Sequence, residues 1–290
     1  FEAVLLSGRA DICYIDSCYF NVSEYAECAE MAHKSGTDCG LRLPQLWRDN
    51  AEDYFTANAG MLKNAGFDIL MFRNMESLLF FKENGLLEVS DNADNECRCK
   101  KYIMDHSVYM YNKESVSELI DMLQNAECMD GLCGIALPLE LNHRELAELT
   151  GSIKNLPDVD ASADRENNSC LSKNTGTELV IYGRVPMMVS SQCVKKTGKG
   201  CDKRSETYTL KDRTAALMPV KNSCRFCFNT IYNSVPTALY DMKREIDDIS
   251  PDYVRYEFTV ENAAEVRSVL TAEGPINGAF TRGHFRKSVE

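Results

Sequence analysis

Short apolar segments alternate with amphipathic segments along most of the chain. The run FDILMF at 67–72 is continuously apolar, which is typical of a strand buried on both faces. The pattern predicts strands at 11–16, 39–44, 67–72, 102–112, 134–142, 177–184, 229–233 and 252–258. It predicts the end of a helix at 1–7 and helices at 23–36, 50–66, 75–85, 113–127, 143–153, 236–249 and 260–272.

This order of strands and helices favours parallel βαβ units. The fold class we expect is therefore α/β, a (β/α)8 TIM-like barrel or near-barrel with an inserted cysteine-rich β-hairpin lobe. The barrel would comprise 1–183 and 228–273, the lobe 184–227 and a C-terminal tail 274–290. An open doubly wound sheet is the alternative, but no glycine-rich phosphate loop follows the first strand. The polar segment 154–177 predicts a solvent-exposed loop.

Four cysteines in the lobe have the spacing of a metal site. Cys224 and Cys227 form a C-x-x-C turn, whereas Cys193 and Cys201 form a looser pair. Four thiolates suit tetrahedral zinc or an iron–sulfur cluster, and the spacing leaves both open. We predict that the four sulfurs converge. Of the other cysteines, Cys97 and Cys99 form a weak candidate pair, and those in apolar patterns are expected to pack as small hydrophobic residues.

The lobe is also basic on an acidic chain. The net charge is −12, yet Arg184 to Arg225 contains ten Lys or Arg and three acidic residues. Such a basic island favours an anionic partner, such as RNA or a small carboxylate. It would equally offset the charge of a thiolate cluster and line a solvated loop.

The run ELVIYGRVPMMVSSQC, followed by LKDR, C-x-x-C, NTIYNS and the final GAFTRGHFRKSVE, resembles the peptidase U32 family of collagenase-like proteases. The likeness is greatest to the C-terminal U32-like portion of long bacterial members. It implies that Cys193, Cys201, Cys224 and Cys227 hold a [4Fe-4S] cluster and that Arg184 occupies the family's G-R position. Zinc, or an empty site in protein prepared in air, is the alternative occupancy.

The resemblance also sets the expected function. It implies an iron–sulfur-dependent barrel enzyme that acts on an anionic substrate, of the kind that hydroxylates RNA bases. A collagenase-like peptidase is the alternative, and a non-catalytic domain stabilised by its metal is the second alternative. A missing N-terminal part of a longer chain would be a further partner, since the sequence starts at Phe1 without a leader.

In parallel barrels, active sites lie at the carboxyl ends of the strands. The candidate catalytic residues there are Arg184, Arg144, Glu140 and Arg42. The three arginines together would suit a carboxylate or phosphate, since the guanidinium fork fits both. Further polar residues at these ends are expected mainly as caps or ion pairs, namely Asp16, Arg73, Asn74, Asn112, Asn142, Asn229, Asn233 and Glu257.

Proteolysis has little support in the residues themselves. The chain has four histidines and neither H-E-x-x-H nor G-x-S-x-G. A Ser or Cys nucleophile with His106 or His143 as its base is the arrangement that a peptidase would need. The thirteen cysteines are scattered along a sequence that shows no leader, which favours a reducing cytoplasm. No apolar run approaches the length of a membrane span.

Overall fold

The structure, a computed structural model, describes residues 1–88, 100–155, 175–272 and 278–287. The helices are α1 Glu2–Leu5, α2 Tyr25–Lys34, α3 Asp49–Ala57, α4 Ala59–Lys63, α5 Met75–Glu83, α6 Lys113–Asn125, α7 His143–Lys154, α8 Val194–Lys199, α9 Lys243–Ile249 and α10 Ala263–Thr271. The strands are β1 Ile12–Asp16, β2 Asp38–Arg42, β3 Ile69–Phe72, β4 Lys101–Met104, β5 Leu132–Ala136, β6 Gly176–Gly183, β7 Pro186–Ser190, β8 Thr207–Lys211, β9 Leu217–Ser223, β10 Phe228–Tyr232, β11 Thr237–Ala238 and β12 Tyr253–Glu257. Most of the predicted loop at 154–177 lies outside the described residues, as do Cys97 and Cys99.

The larger sheet is parallel, as predicted. Its order is β1-β2-β3-β4-β5-β6, with β12 parallel to β6 and the short β11 antiparallel to β6. The sheet curls, because side chains from non-adjacent strands meet on its concave face. Arg42 on β2 lies 2.6 Å from Glu257 on β12. The result is a half-barrel, in which the described parts of β1 and β12 are not paired with each other.

Helices cover the outer face of this sheet. α2 packs on β2, α5 on β3 and α7 on β6, while α1 packs against α10 at the open edge. Asn74, Asn112, Asn142 and Asn262 cap α5, α6, α7 and α10, because each side chain accepts a backbone N–H of the first turn. These caps fix where each helix begins. Each of the four helices comes after the carboxyl end of a strand, in the order β3, β4, β5 and β12.

The second sheet is antiparallel, with the order β7-β10-β9-β8. The predicted strand at 229–233 is present as β10, but it pairs with β7 and β9 rather than with the parallel strands. A parallel pair needs a crossover of about a dozen residues or more. Only the tight turn Cys224–Cys227 separates β9 from β10, so the hairpin is antiparallel.

Other predicted elements are also shorter than expected, such as the strand at 134–142, which ends at Ala136. The predicted strand at 102–112 ends at Met104, where a 3-10 turn begins at His106. The predicted helix at 50–66 divides at Asn58, whose side chain donates to the Tyr54 carbonyl. The predicted helix at 236–249 is α9 alone, because Thr237 and Ala238 pair with β6. Part of the predicted tail is packed, since Phe285 is buried.

Among the described residues, no helix is both long and apolar enough to cross a lipid bilayer.

Candidate functional site

Seven ionisable residues meet on the concave face of the half-barrel, at and just below the carboxyl ends of the strands. We call them the charge cluster. Its members are Arg42, Arg73, Asp105, His106, Glu178, Arg255 and Glu257. Arg42 and Glu257 are the last residues of β2 and β12, while Arg73 and Asp105 directly follow β3 and β4. Arg255 and Glu257 share one face of β12, because side chains alternate along a strand.

Asp105 is the centre of the charge cluster. Its side chain is fully buried, and Oδ1 accepts from Arg255 Nη2 at 2.7 Å. Its Oδ2 lies 3.3 Å from both Arg42 Nη2 and Arg73 Nε. Burial acts to raise the pKa of Asp105, but His106 and the three arginines outweigh it and hold this pKa well below its usual range. Asp105 is therefore an ionised hub for three guanidinium groups.

The two glutamates of the charge cluster have opposite pKa shifts. Burial acts to raise the pKa of Glu257, but Arg42 and His106 outweigh it, so the pKa is lowered. Burial raises the pKa of Glu178, although Arg255 donates to its Oε2 at 2.9 Å. Environments that push the pKa values of neighbouring carboxyls apart are a common feature of acid–base sites.

Among the described residues, several buried nitrogen atoms of the charge cluster have no hydrogen-bond partner. They are Arg42 Nε, Arg73 Nε, Arg255 Nε and His106 Nε2. His106 Nε2 lies 3.9 Å from Asp105 Oδ1 and 3.8 Å from Glu257 Oε2, beyond hydrogen-bond distance. Unsatisfied buried donors are uncommon in folded proteins. An anionic or hydroxylated ligand would satisfy donors of this kind.

A pocket adjoins the charge cluster and shares Glu257 with it. It has a cavity volume of about 30 Å³ and opens to solvent, and leucines form much of its wall, with Phe285. Its charged lining residues are Arg184, Glu257 and Arg282. Arg184 Nη1 donates to the carbonyls of Asn233 (3.1 Å) and Ser234, and Arg282 forms an ion pair with Asp241. The pocket suits a ligand with an apolar body and an anionic group.

The structure places the four candidate catalytic residues in different surroundings. Arg42 belongs to the charge cluster, and Arg184 lines the pocket. Arg144 is exposed in the first turn of α7. Glu140 is half-buried and hydrogen-bonds to Tyr111. Arg42 is therefore bonded to residues of the charge cluster, and the joint grip of Arg42, Arg144 and Arg184 on an anion stays a prediction.

Sequence reasoning missed Asp105, Glu178 and Arg255. Asp105 was hidden because the predicted strand ran through it to residue 112. The motif Arg-x-Glu in the apolar strand YVRYE was a usable signal, since charged residues spaced by two share one strand face. A buried charge on such a face needs a partner, so the motif points to a charged interior.

The four lobe cysteines lie at one end of the antiparallel sheet. Cys193 follows β7, Cys201 precedes β8, and the other two occupy the β9–β10 turn. Burial raises the pKa of Cys224, and the nearby Cys193 and Cys201 raise it further. Cys224 Sγ donates to the Arg204 carbonyl at 3.0 Å. Three of the four thiols are thus electrostatic neighbours.

Thiolates are ligands that soft metals prefer, so the four side chains fit such a metal by their chemistry. In the part of the chain that the structure describes, no group of three or more His, Cys, Asp or Glu residues is arranged to hold a metal ion. Convergence of all four sulfurs therefore stays a prediction. Lys195 in α8 forms ion pairs with Asp202, next to Cys201, and with Glu206 (3.1 Å), next to β8. These pairs hold α8 against the segment that carries Cys201.

The cysteines with apolar surroundings are packed as expected. Cys13, Cys18, Cys28, Cys39 and Cys128 are buried, and Cys133 is partly buried. Burial raises the pKa of the Cys13 thiol to about 11 and that of Cys39 to about 12. Thiols of this kind stay protonated at neutral pH and are poor nucleophiles.

The lobe sits on the loops that follow β1, β2 and β12. Arg225, between the two turn cysteines, donates to the carbonyls of Ser17 and Phe20, each at 2.5 Å. Arg48 donates to the Cys227 carbonyl at 2.8 Å, and Lys221 to the Thr259 carbonyl at 2.9 Å. Because β2 and β12 end in Arg42 and Glu257, the lobe lies on the same side of the sheet as the charge cluster.

The chain matches no protein-family model, no curated protein and no solved structure. The resemblance to the U32 family therefore stays a prediction, and a functional assignment has to be argued from the charge cluster, the pocket and the lobe.

Proposed function

We propose that this chain is an iron–sulfur-dependent enzyme of the U32 type, built on a (β/α)8-like barrel, that acts on an anionic substrate. The observation that carries the proposal is the position of Glu257. It is bonded to Arg42 in the charge cluster and also lines the apolar pocket. A ligand in that pocket would contact a residue whose pKa the charge cluster controls.

The pocket supports an anionic substrate because Arg184 and Arg282 flank an apolar wall. Both guanidinium groups have partners in the protein, so they are held in place before a ligand arrives. Such preorganised donors favour a fixed orientation of a carboxylate or phosphate. The reaction type that we propose, hydroxylation of an RNA base or a related ring, comes from the family resemblance.

The proposed ligands of the iron–sulfur cluster are Cys193, Cys201, Cys224 and Cys227, at one end of the lobe. A [4Fe-4S] cluster supplies one-electron transfer when it is bound. The chain itself would position that end of the lobe through Arg225 and Arg48, which fasten the cysteine turn to the loops after β1 and β2.

Peptidase activity has no comparable support. In the described part of the chain, His143 Nδ1 contacts the Phe285 carbonyl at 3.3 Å, and the carboxylates of Asp105 and Glu257 lie beside His106. Neither histidine has a hydrogen bond to a Ser or Cys nucleophile in that part. A general base within hydrogen-bond reach of its nucleophile is what the reaction needs.

Anaerobic purification tests the proposal directly. We expect a brown protein with iron and sulfide in equal amounts and little zinc. Incubated with RNA, a reductant and O₂, which gives one oxygen atom to the base and the other to water, it should yield nucleosides that have gained one oxygen atom, detected by mass spectrometry. The Glu257→Gln variant should keep its iron and lose this product. Zinc in place of iron, or cleavage of gelatin by the metal-free protein, would contradict the proposal.

A further inference from the structure

Two exposed tyrosines form a stacked pair next to the charge cluster. Tyr109 is 56% exposed and Tyr111 is 37% exposed. Their ring centroids are 5.9 Å apart, and the ring planes differ by 20°. Large aromatic side chains are usually buried in a core or a contact, so a pair displayed together at the surface is a candidate binding feature.

The backbone holds the pair in position. Tyr109 adopts a left-handed conformation, with a φ of 61° and a ψ of 49°, which is unfavourable for a bulky residue. Met110 between the tyrosines is only 2% exposed, so it anchors the segment to the core while both rings point outward. Burial raises the pKa of Tyr111 to about 12, and a hydrogen bond to Glu140 contributes. Strained backbone of this kind is often found at functional sites.

The pair lies at the carboxyl end of β4, the same side of the sheet as the lobe. Tyr109 directly follows the 3-10 turn His106–Val108, whose first residue belongs to the charge cluster. The backbone N–H of Tyr109 donates to the His106 carbonyl. The lobe instead contacts the loops after β1, β2 and β12. In the strand order, β3 separates β4 from β2, so the tyrosines and the lobe stand at different parts of the rim.

The lobe, on the same side of the sheet as the tyrosines, carries exposed positive charge. Its exposed cations are Lys196, Lys203, Arg204, Lys211 and Arg213. A ligand that bridges an aromatic platform and a cationic surface needs a planar ring and an anionic group. Nucleotides combine both, because every base has a π face and every phosphate is charged.

We propose that Tyr109 and Tyr111 form a stacking site for the base of a nucleotide, with the basic lobe on the same side of the sheet to attract the phosphate. The proposal deepens the proposed function and rests on it, because it places a ring-bearing ligand beside the charge cluster. The ring chemistry is shared by free nucleotides and single-stranded nucleic acid, so the test uses both.

The test measures binding of a fluorescent single-stranded RNA oligonucleotide and, by competition, of a free nucleoside monophosphate at one fixed salt concentration. Tyr109→Ala and Tyr111→Ala should each weaken oligonucleotide binding about 5- to 100-fold. Tyr109→Phe should bind like the wild type, because the ring is retained. Tyr253→Ala is the matched control, since Tyr253 is 50% exposed at the opposite, amino end of β12.

A folding defect is separated from a stacking defect by Tyr109→Asn. Asparagine tolerates the left-handed backbone and offers no ring. This variant should melt like the wild type and bind as weakly as Tyr109→Ala. Competition by the monophosphate would identify a free nucleotide as a sufficient ligand, whereas binding of the oligonucleotide alone would identify the polymer.

The outcomes distinguish this proposal from the proposed function. Unchanged binding by Tyr109→Ala and Tyr111→Ala, or no binding by the wild type, overturns the stacking site and leaves a protein contact as the role of the pair. Tyrosine-dependent binding by protein that never acquires iron supports the stacking site and contradicts the iron–sulfur enzyme. If iron-loaded protein binds the oligonucleotide equally well without either tyrosine, the stacking site is contradicted and the iron–sulfur enzyme is supported.

Discussion

Asp105 shows how a single side chain organises the interior of this half-barrel. Its buried carboxylate contacts Arg42, Arg73 and Arg255, which come from three different strands or their ends. A buried ion pair adds little net stability over an apolar pair of similar shape, but removing one partner leaves the others without compensation. The charge cluster is therefore sensitive to loss of the carboxylate that these three arginines share.

We predict that Asp105→Asn lowers the free energy of unfolding by about 3–5 kcal/mol, because three guanidinium groups lose a charged partner. Denaturant titration followed by circular dichroism measures the change. Glu30→Gln is the control, because it removes only an exposed pair with Lys34 and should leave the denaturation midpoint unchanged. A loss no larger than that of the control would show that the cluster is not a stabilising network.

The pKa shifts predict the direction of acid sensitivity. The lowered pKa values of Asp105 and Glu257 mean that both stabilise the fold above their ordinary pKa values, near 4. This contribution is lost as the pH falls from about 5 toward their folded pKa values. The raised pKa of Glu178 acts in the opposite sense, since its protonation favours the folded state.

The free energy of unfolding of the wild type, measured at a series of acidic pH values, should therefore decrease as the pH is lowered. The same curve for Asp105→Asn should be shallower, because one of the two depressed carboxyls is gone. Parallel curves for the two proteins would contradict the assignment of acid sensitivity to Asp105.

At the scale of elements, the parallel sheet is built around close approaches that only glycine permits. A Cβ on Gly40 in β2 would lie 2.3 Å from the Tyr14 ring on β1. The same Cβ would lie 2.9 Å from Ile69 on β3. Tyr14 thus occupies the space above Gly40 and fills the concave side between neighbouring strands.

We predict that Gly40→Ala destabilises the protein by about 1–3 kcal/mol through overpacking, measured by denaturation. Gly60→Ala is the matched control, because Gly60 lies in α4 with no atom within 4 Å of the added Cβ. It should be neutral or stabilising by up to about 1 kcal/mol. In a Tyr14→Leu background the cost of Gly40→Ala should shrink, and an unchanged cost would locate the clash elsewhere.

Periodicity predicted the elements that local sequence controls. The strands around 12–16, 38–42, 69–72 and 253–257 and the capped helices are close to their predicted positions. The end of β4 could not be predicted, because Asp105 turns away to meet arginines far along the chain. The partner of β10 could not be predicted either, since strand composition does not encode pairing.

The candidate site was predictable only in part for the same reason. Arg42 and Arg184 were identified from their positions at strand ends. The charge cluster as a whole depends on the curl of the sheet, which brings β12 within reach of β2 and β4. That curvature is a property of the assembled sheet, so no single stretch of sequence contains it.

At the scale of the whole molecule, the lobe is a separate antiparallel sheet fastened to the half-barrel by a few specific contacts. Arg225 makes the densest of these, to two carbonyls and to the side chain of Asn21. Phe226 beside it is buried and stacks on Phe55, with ring centroids 5.9 Å apart. The turn that carries Cys224 and Cys227 is therefore also the main anchor of the lobe.

We predict that Arg225→Ala loosens the lobe while the parallel sheet stays folded. Two partly buried carbonyls and the exposed side chain of Asn21 lose their donor, so limited proteolysis should cut within residues 186–227 faster than in the wild type. Mass spectrometry locates the cuts. Arg213→Ala, an exposed change on the same lobe, should leave the cleavage rate unchanged. Equal rates for both variants would mean that the lobe is held by other contacts.

The separation of the cluster residues along the chain has a consequence for synthesis. Arg255 is synthesised 150 positions after its partner Asp105, and Glu257 is synthesised 215 positions after its partner Arg42. At ribosomal rates of about 5–20 residues per second, the first of these intervals lasts roughly 8–30 seconds. During that interval the early strands carry charged groups that need water, so they cannot yet close on a dry interior. The charge cluster can thus be completed only after β12 has left the ribosome. Its assembly therefore requires that the chain has been translated through that strand.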